Sequence, residues 1–273
     1  MRLDKALLVF RKDFQEITRT KEVIVPMVIL PLIFALLLPA LSVMSPDNVN
    51  TPGDQDVMVR NILGNLPDAV QAQLRDYTPS EQVMYVMLVY FFSPFFLIIP
   101  VMSSSVIAAD SFAGEKERNT LEALLATPIT DSELLLGKIF VSFIPGMGVT
   151  IIGFILYVLT VNVLTVDIFG QYIMPTVSWL VLIFVLSPAI ALLGVGTTVI
   201  ISARVKGFRE AQQLSALLVL PVIGLLFGQG SGYLLLGSNA MIILALFIGA
   251  IDVVVFRFGL RLFQRENILS KSR

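Results

Sequence analysis

Long apolar runs separated by short charged stretches set the pattern of this chain. The runs cover 22–43, 79–109, 131–160, 177–202, 209–228 and 239–260. A helix needs roughly 20 apolar residues to cross about 30 Å of hydrocarbon. The pattern therefore predicts an all-α polytopic membrane protein with six transmembrane helices, read as one transmembrane domain over 1–273. Residues 211–251 carry no charge, yet the segment FGQGSGYLLLGSN breaks that stretch in two. Prolines 26, 31, 94, 100, 145, 188 and 221 fall inside the runs; membrane spans tolerate them where soluble helices would not.

Before the first run, Leu3, Leu7, Phe10, Phe14 and Ile17 recur at three- and four-residue steps, with Arg, Lys, Asp and Glu between them. Residues 1–20 thus predict an amphipathic helix lying in the membrane interface, either a plain anchor or a moving lever. A cleavable signal is not expected, because the segment lacks an apolar core and leads straight into a full span. Residues 44–78 read as an extracytoplasmic loop. In it, Val59, Ile62, Leu63 and Leu66, then Val70 and Leu74, suggest two short amphipathic helices.

The stretch SFAGEKERNTLEALLATPITDSELLLGK, 111–138, departs most from the oily background. Helix-start signals bracket it. Thr78-Pro79-Ser80-Glu81 and Thr130-Asp131-Ser132-Glu133 are capping boxes opening the second and third spans, and Asn119-Thr120-Leu121-Glu122 offers another N-cap. Each cap contributes about 1 kcal/mol. Between them lies a helix of two turns, ended by Pro128, which disfavours helical geometry at Thr127. Its Leu121, Leu124 and Leu125 share one face. Burying three leucines stabilises a contact by roughly 4–9 kcal/mol before ordering costs. That face needs a cover, supplied by this chain's own helix ends or by another protein.

Composition sharpens the picture by exclusion. Hydrophobic residues are 56% and charged ones 14% of 273, with mean hydropathy +0.86, against about a quarter charged in soluble domains. No histidine and no cysteine are present. This removes imidazole- or thiolate-based catalysis, zinc sites of those ligands and disulfides. No catalytic residue and no metal site are expected. Gly137-Lys138 is followed by Ile139, and Ser132 stands where a P-loop needs its first glycine, so no nucleotide site of that kind is expected. No basic arm for nucleic acid exists. Seventeen of the nineteen Lys and Arg fall at the N-terminal segment, the 110–138 loop, the 203–209 loop and the C-terminal tail; only Arg60 and Arg75 lie on the other side. The positive-inside rule then places both termini and the 111–130 loop in the cytosol of a multi-pass protein of the cell membrane.

The stretch AGEKERNTLEALLATPITDSELLLGKI, together with ARVKGFREAQQLSALLVLP at 203–221, resembles the type-two ABC export permeases. These membrane subunits are often annotated among sodium, drug, polysaccharide or antibiotic exporters, and the six-span pattern extends the resemblance over nearly the whole chain. It implies a coupling helix at 119–127, within a coupling loop of 111–130, seated in a cleft of a separate ATP-binding subunit. Glu115, Glu117, Arg118, Asn119, Thr120, Leu121, Glu122, Leu124, Leu125, Thr127 and Pro128 are the coupling residues so implied. ATP and Mg would sit on that partner, with no cofactor in this chain. A second permease copy would complete a homodimer. Short re-entrant helices would occupy 228–239, where Gly228, Gly230, Gly232 and Gly237 permit turns; an ordinary external loop is the plainer reading.

Within the spans, Asp252 is the acid nearest the midplane and is expected to pair with a basic residue of a neighbouring helix or to touch substrate. Asp110 reads as solvated. Ser103, Ser104, Ser105, Asn162, Thr197, Thr198, Gln212 and Gln213 are expected to bind helices together or line a path. Phe91, Phe92, Phe95 and Phe96 read as packing, with Phe91 and Phe95 as candidates for an apolar pathway. So few intramembrane charges favour an apolar or amphipathic cargo of an ATP-driven exporter. The alternatives are sodium export by the same assembly, a secondary transporter or channel without an ATPase, and an intramembrane enzyme, which lacks an evident catalytic pair.

Overall fold

Among the described residues, six apolar helices long enough to span a membrane make up most of the fold, as the hydropathy pattern requires. The structure is a computed structural model and describes residues 3–44, 64, 71–72, 74–120, 129–230 and 237–262. In chain order the helices are α1 (Leu3–Ile17), α2 (Lys21–Met44), α3 (Pro79–Glu117), α4 (Asp131–Phe169), α5 (Val177–Ser202), α6 (Phe208–Gln229) and α7 (Ser238–Leu262). No strand occurs among the described residues.

The span boundaries agree with the sequence at most ends. Two helices are longer than expected: α4 runs to Phe169, and α3 continues through Asp110 to Glu117. Residues 111–117 are therefore helix rather than loop. Both expected capping boxes are formed: Thr78 and Glu81 cap α3, and Thr130 and Glu133 cap α4 through reciprocal side-chain and backbone bonds. Gly170 ends α4 in the left-handed conformation, φ 66°, where a side chain would be strained.

α3 is the most enclosed helix and packs against α4, α5, α2 and α6. Three observations explain how the others approach it. Trp179 of α5 stacks on Tyr157 of α4 at 4.8 Å, and Phe96 of α3 meets both edge-on. Trp179 Nε1 donates to the Val89 carbonyl at 2.7 Å and Tyr157 donates to that of Leu88. Both acceptors lie in a π-helical turn, Met87–Phe91, where α-helical pairing is interrupted. Deeper in the helix, Ser104 of α3 touches Gly146 and Gly194. A Cβ at Gly146 would lie 3.1 Å from Ser104 Cβ and its backbone nitrogen, and one at Gly194 3.0 Å from Ser105 Oγ. Small residues let membrane helices approach this closely.

Further π-helical turns occupy Ile33–Leu37, Asp110–Gly114 and Leu182–Leu186. The other neutral polar groups serve local joints. Thr198 donates to Ser215, linking α5 to α6 at 2.9 Å. Asn162 clamps the α4–α5 connection through both Met174 backbone groups. Thr197 bonds its own helix at Leu193, and Gln213 points outward. Leu74 is buried against Val86; the remaining apolar positions of the 44–78 loop, and Gly232, lie outside the described residues. Gly228 falls within α6, and Gly230 closes the last turn just beyond Gln229, so any break of this region starts after them.

Candidate functional site

α3 ends in four consecutive charged residues, Glu115-Lys116-Glu117-Arg118. Their side chains leave one helical turn in different directions, and each binds a different part of the fold.

Glu115 is buried, 2% exposed, and its two oxygens take two ammonium groups. Lys138 Nζ of α4 lies 2.6 Å from Oε2, and Lys12 Nζ of α1 lies 2.7 Å from Oε1. Lys138 is itself wholly buried; its Nζ also donates to Ser111 Oγ at 3.1 Å and to the Ser111 carbonyl, and lies 3.4 Å from Asp13 Oδ2. Phe112 covers it, 5.1 Å to the ring centroid, a cation–π contact. Asp13 Oδ2 also accepts the Ser111 hydroxyl at 3.0 Å. A buried ammonium between two carboxylates is tolerable because its charge is matched and its protons are engaged.

Arg118 turns the other way, donating to Asp110 Oδ1 at 2.9 Å and lying 3.1 Å from Glu16 Oε1. Asp110, expected to be solvated, is 3% exposed. The extension of α3 encloses it and Arg118 supplies its counter-charge. Gly114 lies beneath this pair; a Cβ there would come 2.6 Å from Asp110 Oδ1.

Lys116 donates to the Val205 carbonyl at 2.9 Å, in the turn between α5 and α6. Glu117 Oε2 accepts the Phe208 backbone N–H at 2.9 Å. Phe208 opens α6, whose cap position is Gly207, without a side chain to satisfy the free N–H groups. Glu117 thus replaces the missing cap from another helix, and its charge suits the positive end of the α6 dipole. Gly207 makes room for it: a Cβ there would lie 2.6 Å from Glu117 Oε2.

The electrostatics follow the geometry. Partial burial works against a charged Lys12, but the hydrogen bond to Glu115 and the charges of Asp13 and Glu115 outweigh it, raising its pKa above the ordinary lysine value. Burial likewise opposes Arg118, and its bond to Asp110 with the charges of Asp110, Glu16 and Glu115 reverses that, raising its pKa. Asp13, Glu16 and Glu115 are close enough to share an ion. Lys12 Nζ already bridges all three, at 3.1, 3.4 and 2.7 Å. The adjoining cavity of about 10 Å³ has room for about one water. The site is a joint of fixed charges.

Glu115, Glu117 and Arg118 are thus brought together by one turn of α3. Asn119 and Thr120 end that helix. Asn119 has φ 57°, Thr120 N–H bonds the Glu115 carbonyl and Asn119 N–H bonds that of Lys116. This is a Schellman stop. Asn119 is consequently a C-terminal cap of α3 and not the N-cap of a following helix, because an N-cap needs extended backbone while asparagine is among the few residues that accept a left-handed turn. Leu121, Glu122, Leu124, Leu125, Thr127 and Pro128 lie outside the described residues.

The apolar stripe read on α1 is divided. Val9, Asp13 and Ile17 are buried at four-residue spacing, Phe10 is half-buried, and Leu7 and Phe14 are 62% and 40% exposed. The inward face is centred on an acid because Lys138 and Ser111 await it, which leaves Leu7 and Phe14 for the surroundings. Leu3 begins this helix. Sequence reasoning missed Lys12, Asp13, Glu16, Ser111, Lys116 and Lys138 as site residues. The available signal was Lys138, a lysine carried into an apolar run eight residues after its cap Thr130.

Other candidates lie apart. Phe91, Phe92 and Phe95 form a ring cluster, and Phe95 meets Phe34 of α2 edge-on at 5.6 Å. Asp252, expected to pair with a base or touch substrate, has no hydrogen-bond partner for either oxygen among the described residues.

Comparison with known proteins places this arrangement in context. The family model described as "ABC-2 family transporter protein" matches residues 7–246. The ABC transporter permease protein NatB of Bacillus subtilis (strain 168) is 31% identical over 141 residues, 49% of this chain and 36% of NatB. The chain therefore aligns with little more than a third of that relative's length.

Proposed function

This chain belongs to the ABC-2 family of transporter proteins, and from that membership we propose that it is the membrane-spanning permease subunit of an ATP-driven exporter. A separate ATPase subunit, holding ATP and Mg, supplies the energy, and a second copy of this chain completes the transporter. The basic end of the bundle faces the cytosol, where the seventeen Lys and Arg concentrate. The cargo is apolar or amphipathic, in keeping with spans that carry so few ionisable groups.

One observation carries the coupling: Glu115, Lys116, Glu117 and Arg118 bind, in turn, α1 with α4, the α5–α6 turn, the start of α6, and Asp110 with α1. The leucine-faced segment 121–128 follows directly. A force applied there by an ATPase meets α1, α4, the α5–α6 turn and the start of α6 through one turn of α3. α1, with Leu7 and Phe14 outward and Asp13 inward, lies in the interface and moves with that turn.

The test is co-purification of the full chain with the ATPase subunit encoded beside it. Leu124→Asp is expected to leave membrane insertion intact while abolishing co-purification and transport. Undiminished co-purification and transport by this variant would overturn the reading.

A further inference from the structure

Asp252 stands outside the charged joint, fourteen residues into α7 and inside the apolar window Ser238–Gly259. That is about 21 Å along the helix axis. Met241, Ala245, Ile248 and Gly259 are the buried positions of α7, and Asp252 lies on the same stripe at the same four- and three-residue steps. One turn further, Val255 Cγ1 sits where a Cβ at Gly196 of α5 would be, at 2.7 Å. Asp252 is therefore in the seam between α5 and α7.

Among the described residues Asp252 forms no ion pair. Both carboxylate oxygens are shielded from solvent, and neither has a hydrogen-bond partner there. α5 carries no ionisable residue. α4, which also touches α7, carries Asp131, Glu133, Lys138 and Asp167. Of these, Lys138 is held by Glu115 and Asp13, and Asp167 is exposed at the far end. On α7 itself the nearest base is Arg257, exposed and about 140° around the helix at 100° per residue. An ionised carboxylate without donors in hydrocarbon costs several kcal/mol, and such a group neutralises instead.

We propose that Asp252 is a proton-binding site, a carboxyl group that is neutral while the α5–α7 seam is packed and ionised when the seam opens to water. The step balances simply: the carboxylate takes one proton from hydronium, leaving the acid and water, and returns it when solvated. Each opening and closing of the seam then exchanges one proton per chain. This goes beyond the exporter reading and does not depend on which energy source moves the helices.

Infrared difference spectroscopy on the full chain in lipid nanodiscs tests the site without any ATPase. Asp252→Asn is expected to remove the carbonyl band of a protonated carboxylic acid at neutral pH. Loss of a carboxylate band instead would overturn the proposal. Asparagine mimics the neutral acid, so the variant should match the parent in thermal stability; a large loss would mean that the charge is used, and would overturn it as well. In proteoliposomes with the ATPase subunit, pH dependence of transport should flatten in Asp252→Asn, and an unchanged profile would overturn the exchange step. Failure of the permease reading would leave the infrared result unaltered.

Discussion

Lys138 Nζ lies 2.6 Å from Glu115 Oε2, and neither side chain is exposed by more than 2%. Two helices that enter the bilayer separately are thus joined by a buried ion pair, with Asp13 of α1 sharing the ammonium. A pair of this kind adds little over a well-packed apolar substitute, yet loss of one partner strands the others. Its value lies in fixing which helix ends meet.

Lys138→Met should therefore be severe, destabilising the protein by about 3–5 kcal/mol, because Asp13 and Glu115 would lose their buried cation and keep only the half-exposed Lys12. Glu115→Gln should be milder, since the amide still accepts from Lys138 while Lys12 retains Asp13. Thermal unfolding of both variants and of the double variant in a mutant cycle checks this. Strict additivity would show that the two residues do not act together.

Glu117→Ala removes the cap of α6 and should cost about 1 kcal/mol. Gly207→Ala should imitate it, since the new methyl would occupy the carboxylate's place. Amide hydrogen exchange at Phe208 reads the loss directly. Unchanged protection in Glu117→Ala would show that another group caps the helix.

Gly146→Val drives a branched side chain against the backbone of Ser104 and should destabilise by about 1–3 kcal/mol. Gly148→Val is the control, because nothing lies within 4 Å of its missing Cβ. Equal unfolding temperatures for the two variants would contradict the close α3–α4 contact.

The stabilisation drawn from Lys12 has a definite pH window. Its pKa is raised in the fold, so its contribution is complete below the ordinary lysine value of 10.5 and is lost as pH rises through the higher folded value. Unfolding temperatures of the parent and Lys12→Met should differ at neutral pH and converge only in strong alkali. Convergence near neutrality would refute the assignment.

The spans and two capping boxes were legible because hydropathy over twenty residues and reciprocal Thr–Glu spacing are local properties. Glu115, Glu117 and Arg118 were reached through resemblance, but their partners were not. Asp13 and Lys138 are 125 residues apart, and no local pattern announces that an acid on an amphipathic helix will face inward to meet a lysine in an apolar one. Asp110 misled for the same reason: Arg118 covers it only because the helix runs eight residues further. Asn119 satisfied the spacing of a helix start while its backbone made a helix stop, an ambiguity between two uses of asparagine that spacing cannot resolve.

The π-helical turn Asp110–Gly114 stands immediately above the four-way charged joint. Such a turn holds one residue more than an α-helix uses over the same length. Its tightening would swivel everything below it by about 100° and shift it by about 1.5 Å, the increments of a single residue. The wide turn thus sets the angle at which the charged foot of α3 leaves the shaft above it, and so decides which partners Glu115 to Arg118 meet.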